Sequence, residues 1–283
     1  MTTIRKIKKN LTSKPTLEGA GVKLKRAFGY YEMPLLDPFL LLDNFGSDNP
    51  DDYIAGFPWH PHRGIETVTY MLAGKVEHGD SLGNKGVINS GDMQWMTAGS
   101  GIVHQEMPQR FEGKMQGFQL WLNLPKSHKM MNPRYRDVKH ETIPEFSPDP
   151  NIKVKIIAGQ MNGTKGPVRD LVVDTEYFDI AMLPNAEFEI STKNDYKAFA
   201  FVFEGSSYFD ANKTEAINAN HLVVFDRGDK VRVRTTDDPV RFLFVSGKPL
   251  HEPIAWRGPI VMNTDEELTV AFQEYRNGTF IKS

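Results

Sequence analysis

Tyr70-Met-Leu-Ala-Gly74, followed after a loop by Gly91-Asp-Met-Gln-Trp95, is echoed in the second half of the chain. There Phe201-Val-Phe-Glu-Gly205 precedes Leu222-Val-Val-Phe-Asp-Arg-Gly228. An apolar run that stops at glycine reads as a strand ending in a turn. The recurrence of the same pair of runs argues for two domains of similar topology. Working outward, further β-branched or aromatic runs occur at 67–72 (TVTYML), 93–96 (MQWM), 118–124 (FQLWLNL), 153–158 (KVKIIA) and 177–183 (YFDIAML). Others lie at 199–203 (FAFVF), 231–234 (VRVR) and 241–245 (RFLFV). Many short strands at regular spacing predict an all-β sandwich or barrel. One helix is expected near the end, where Thr264 and Glu267 make a capping box, Leu268, Ala271, Phe272 and Tyr275 form a stripe, and Gly278 is the stop. A shorter helical piece is expected within 124–132. Residues 127–151, rich in Pro, Lys and Arg, read as a linker. The expectation is therefore two β-barrels, residues 1–130 with an N-terminal strand and residues 131–283 with the helix.

Composition narrows the function. With 34 basic and 36 acidic side chains among 283 residues the net charge is −2, without the basic stripe of a nucleic-acid binder. No direct nucleic-acid partner is expected. Cysteine is absent, which removes disulfides, thiolate nucleophiles and sulfur-held metals together. Any metal must be held by nitrogen and oxygen. No run approaches the roughly 18 apolar residues of a membrane span. The basic N-terminus lacks the apolar centre of a secretory signal. A soluble, monomeric, cytoplasmic protein is expected, with the nucleus open in a eukaryote.

The histidines carry the chemistry. His60-Pro-His62 sets two imidazoles two residues apart, and His104-Gln-Glu106 sets an imidazole and a carboxylate at the same spacing. In a strand such residues share a face. Two pairs on neighbouring strands would aim four donors at one point, and a metal needs that convergence from rigid elements. Phe57, Trp59, Met71, Trp95 and Trp121 supply aromatic and apolar surroundings suited to a dry cavity. His78, His128, His140, His221 and His251 have no partner at a useful spacing and read as ordinary polar residues, His78 being the weakest exclusion.

The blocks 56–70 (GFPWHPHRGIETVTY) and 91–108 (GDMQWMTAGSGIVHQEMP) resemble the signature blocks of the pirin family of bicupins. The stretches 33–45 (MPLLDPFLLLDNF) and 258–264 (GPIVMNT) resemble the family too, so the likeness spans nearly the whole chain. It implies two tandem cupin, or jelly-roll, β-barrels with a C-terminal helix. It also implies one divalent first-row metal, Fe(II) by preference, on His60, His62, His104 and Glu106. Against the general cupin pattern, Gly56 lies only four residues before His60, and the second motif lacks its usual Pro and its final Asn. Glu66, four residues after His62, occupies a common cupin ligand position and is the second choice to Glu106. Ser191 and Lys193 stand where His60 and His62 would fall in the repeat, so the C-terminal barrel is expected to hold no metal.

Pirin-like proteins include quercetin 2,3-dioxygenases. That resemblance implies a flavonol-like substrate, O2 and release of CO, with Glu106 as general base toward the flavonol hydroxyl. The alternative is a metal- and redox-dependent regulator that binds a protein partner, a transcription factor or a metabolic enzyme. A zinc cupin isomerase or sugar-binding module rests on fold analogy alone.

Overall fold

The computed structural model describes residues 2–210, 212 and 215–282, more than half of them in strands. The chain forms two compact units. The first domain combines Phe39–His140 with Pro15–Tyr31 and the tail from Leu250 onward, and the second combines Glu141–Pro249 with the segment up to Lys14 and Glu32–Pro38.

This division differs from the expected one at both termini and at the junction. Ile7–Thr12 lies antiparallel along His221–Phe225 in the second domain, covering what would otherwise be a bare sheet edge. The C-terminal helix belongs to the first domain, where Leu268 and Ala271 bury with Ile260, Met262 and Phe280 against Val103. The supposed linker carries a strand of its own, Arg134–Val138, paired with Met93–Thr97. The crossover thus falls at 140/141 instead of 130/131. Within 124–132 only one 3-10 turn forms, Lys126–His128.

In the first domain a seven-stranded antiparallel sheet runs Arg134–Val138, Met93–Thr97, Ile65–Ala73, Met115–Asn123, Phe39–Ser47, Val22–Phe28, Lys14–Glu18. Opposite it stands a four-stranded sheet in the order Phe57–His62, Ile102–Pro108, Val76–Asp80, Lys85–Ile88. Val22, Leu24, Phe45, Met71, Val76, Ile88 and Met115 pack between them. The helix Asp265–Arg276 begins with the expected capping box, Thr264 accepting from the Glu267 N–H and Glu267 from the Thr264 N–H. Tyr275, placed on the apolar stripe by its spacing, is 40% exposed and packs its ring edge on Phe280.

The second domain repeats the scheme with a nine-stranded sheet. Two of the short runs expected there are one long strand, Lys230–Gly247, which pairs with Glu187–Ser191 at its start and Thr175–Met182 at its end. Its interior is filled by apolar side chains, among them Phe178, Phe209, Phe225, Phe242 and Phe244. Ser191 sits exposed at the end of its strand. Among the described residues hydrogen bonding closes neither domain into a continuous barrel, and no helix is long and apolar enough to cross a membrane.

Candidate metal centre

The four-stranded sheet builds the cluster by register. Phe57–His62 runs antiparallel to Ile102–Pro108 with His60 opposite His104, so those two imidazoles leave the same face. His62 follows His60 by two residues and Glu106 follows His104 by two. Burial alternates strictly along Ile102–Pro108, with His104 and Glu106 on the buried side. The rings of His60, His62 and His104 lie 4.4, 4.8 and 5.0 Å apart by centroid. One nitrogen from each falls within 4.8 Å of the others.

Tautomers follow from the partners. His60 Nδ1 is 2.8 Å from the Pro58 carbonyl and His62 Nδ1 is 3.0 Å from the Pro259 carbonyl. A carbonyl only accepts, so both Nδ1 atoms carry a proton, and in a neutral imidazole of this tautomer Nε2 is a lone pair. Those two Nε2 atoms stand 3.1 Å apart. His104 is wholly buried, and neither of its ring nitrogens has a hydrogen-bond partner. Burial, aided by the neighbouring imidazoles, holds His62 and His104 well below the usual histidine range, so both are neutral ligands in waiting. An orphaned buried imidazole costs about 1–3 kcal/mol. Two nitrogens bound at right angles to one transition metal, each about 2.1 Å from it, would be about 3.0 Å apart. The donor set fits a metal ion.

Glu106 is buried beside the triad but outside it, its carboxylate fixed from the opposite sheet. Thr69 Oγ1 donates to Oε1 at 2.7 Å and Gln119 Nε2 donates to Oε2 at 2.9 Å. Each oxygen keeps a lone pair for a metal or a proton. Glu66 goes elsewhere. Gly64 turns the chain at φ +76°, in contact so close that an added Cβ would lie 1.9 Å from the Val261 carbonyl, and this turn resets the strand parity after His62. Thr69 faces Glu106, so Glu66, three residues earlier, faces the far side of its sheet, where Thr97 donates to it at 2.6 Å.

The site opens into a cavity of about 590 Å³, within the range of small-molecule pockets. Phe57 and Trp121 line it as expected, whereas Trp59 is 52% exposed and Met71 sits in the core. Trp95 pairs with Val68 and shares its face, turned away from Thr69. Spacing alone missed three groups of residues. The first is Thr69 and Gln119. The second is the tail segment that brings Trp256 and Pro259. The third is Arg26, which donates to Asp43 through two bonds of 2.8 Å in the cavity wall. Burial lifts Asp43 to about 6 despite that pairing. His78, set aside on spacing, lies opposite Glu106 with its ring 5.5 Å from His104. Its Nε2 is 3.0 Å from Asp80, two residues on, and that short spacing was the available signal.

Comparison with known proteins matches residues 21–122 to the family described as Pirin and residues 177–281 to the Pirin C-terminal cupin domain. A pirin-like protein of Caulobacter vibrioides is 44% identical over 98% of this chain and 99% of its own length. A Pseudomonas aeruginosa protein provisionally named a quercetin 2,3-dioxygenase is 40% identical over the same shares, 98% and 99%. The crystal structure of a quercetin 2,3-dioxygenase from Acinetobacter baumannii superposes with a TM-score of 0.91 at 30% identity, covering 98% of this chain and 99% of that one.

Proposed function

Since this chain belongs to the pirin family, we propose that its first domain is a metal-dependent dioxygenase that opens a flavonol of the quercetin class with O2, giving a depside and CO. The observation that carries the proposal is the pair of Nε2 atoms 3.1 Å apart in the wall of a cavity that Phe57 and Trp121 also line. His60, His62 and His104 would hold one divalent first-row metal, Fe(II) by preference, and Glu106 would complete the set. When bound, the metal supplies Lewis acidity toward the substrate's adjacent hydroxyl and ketone oxygens and a redox partner for O2.

The remaining steps belong to side chains. Phe57 and Trp121 flank a planar substrate and exclude water from the face that O2 must reach. Glu106 accepts the proton of the flavonol hydroxyl on the free lone pair of a carboxylate oxygen. Thr69 and Gln119 are positioning residues that keep the carboxylate from turning as it changes charge. The Pro58 and Pro259 carbonyls do the same for the two imidazoles.

The test is direct. Protein loaded anaerobically with Fe(II) is mixed with quercetin, O2 is admitted, and O2 uptake and CO release are followed together. Stoichiometric CO that disappears in His60→Ala is the expected result. Absence of CO from fully metallated protein, or CO unchanged in His60→Ala, would overturn the reading.

A further inference from the structure

A row of aromatic rings leads from the histidine cluster to solvent. The His62 ring lies 5.0 Å from Trp121, Trp121 lies 6.1 Å from Trp256, and Trp256 lies 5.6 Å from Tyr30. Tyr30 in turn lies 5.9 Å from Tyr31, whose side chain is 92% exposed. Every step is within the contact range of aromatic pairs. All five residues belong to the first domain. The row is ordered by exposure, from buried His62 through half-buried Trp121 and Trp256 to exposed Tyr30 and Tyr31. Packing alone does not account for its outer end, because two adjacent exposed tyrosines cover no core.

We propose that Trp121, Trp256, Tyr30 and Tyr31 form a relay that discharges the metal site by carrying an oxidising equivalent outward when no flavonol is bound. The inference rests on the reading of the triad as a site of an oxygen-activating metal. Indole and phenol are the side chains that lose a single electron most readily once thiols are excluded, and this chain has no cysteine. The oxidant is an iron site that O2 or a peroxide has oxidised. Trp121 gives it one electron, and Trp256 refills Trp121. Tyr30 or Tyr31 refills Trp256, losing its phenolic proton to water and ending as a neutral radical. A soluble reductant of the ascorbate or thiol class gives one hydrogen atom to that phenoxyl radical and restores the phenol. The ligands are spared because the electron vacancy leaves them, and exposed tyrosines are where such a reductant can reach it.

The experiment omits flavonol altogether. Fe(II)-loaded protein is treated with a small excess of hydrogen peroxide, freeze-quenched for electron paramagnetic resonance, and then mapped for oxidised residues by peptide mass spectrometry. The expected result is a tyrosyl signal with oxidation concentrated on Tyr31 and Tyr30. The signal is lost in the doubly substituted Tyr30→Phe/Tyr31→Phe protein, whose exposed positions leave folding intact. Trp256→Phe keeps a ring in the row that is much harder to oxidise. It too should lose the signal, and the oxidation should retreat to Trp121 and His62. Zinc-loaded protein should give no signal. Equal tyrosine oxidation in Trp256→Phe or in zinc-loaded protein would overturn the relay, as would oxidation confined to the histidines of the unsubstituted protein. CO release with quercetin is a separate assay, so loss of the flavonol reading and loss of the relay are told apart.

Discussion

His104 is held in a position that only a ligand would justify. With both ring nitrogens buried and without partners, it burdens the metal-free fold. His104→Leu should therefore stabilise the metal-free protein by about 1–2 kcal/mol while abolishing metal binding. Chemical denaturation with chelator present and metal titration without it check the two halves. Thr69→Val removes the donor to Glu106 with little change of shape, and should weaken metal affinity or turnover about tenfold. Lys129 gives a pH test. Its Nζ donates to the Gly64 and Val261 carbonyls and to Asn123, and burial pulls it down to about 7. Below pH 7 the folded and unfolded chains are both protonated. Between about 7 and about 10 the unfolded chain keeps a proton that the folded chain has released, so stability rises with pH across that window. Lys129→Met should flatten the rise in a series of melts. At this scale the three histidines were legible because a strand turns a spacing of two into a shared face. Glu66, the second choice to Glu106, faces the other way because the turn at Gly64 resets that parity. Thr69 and Gln119 were invisible because they reach the site from a different sheet.

Elements tell a similar story of local success and distant failure. The strand at Ile65–Ala73 and the capping box of the helix could be read directly, because their signals lie within a few residues. Thr264→Ala should cost about 1 kcal/mol in an equilibrium melt. What the helix docks on could not be read. Arg63, next to His62, donates to the Ser100 and Phe280 carbonyls at 2.6 and 2.9 Å, and its guanidinium stands 2.7 Å from Glu274 of the helix and over the Phe280 ring. Arg63→Met should destabilise the protein by about 3 kcal/mol, since it leaves two buried carbonyls without their donor and Glu274 with Lys282 alone. The fused strand Lys230–Gly247 and the paired strand inside 127–151 were missed for the converse reason. Charged and proline-bearing stretches look like loops until a neighbouring strand accepts their hydrogen bonds.

Across the whole molecule, the internal repeat correctly indicated two domains, but where the chain's ends belong is not a property of any local window. A metal held by the triad should slow hydrogen exchange along Phe57–His62 and Ile102–Pro108. It should leave the Phe178, Phe242 and Phe244 strands of the second domain unchanged, since those rings sit in a cluster of apolar side chains away from the triad. Exchange measured with and without metal would contradict the assignment if both domains were protected alike.

The crossing of the termini also bears on how the protein is made. The carbonyl that orients His62 comes from Pro259, 197 residues downstream, and the main segment of the second domain, Glu141–Pro249, is translated between them. A nascent chain can pair its first strands early, but His62 lacks its orienting carbonyl until the ribosome has delivered the tail. A prematurely terminated chain would carry His60 with its local Pro58 support but His62 without the carbonyl that sets its ring.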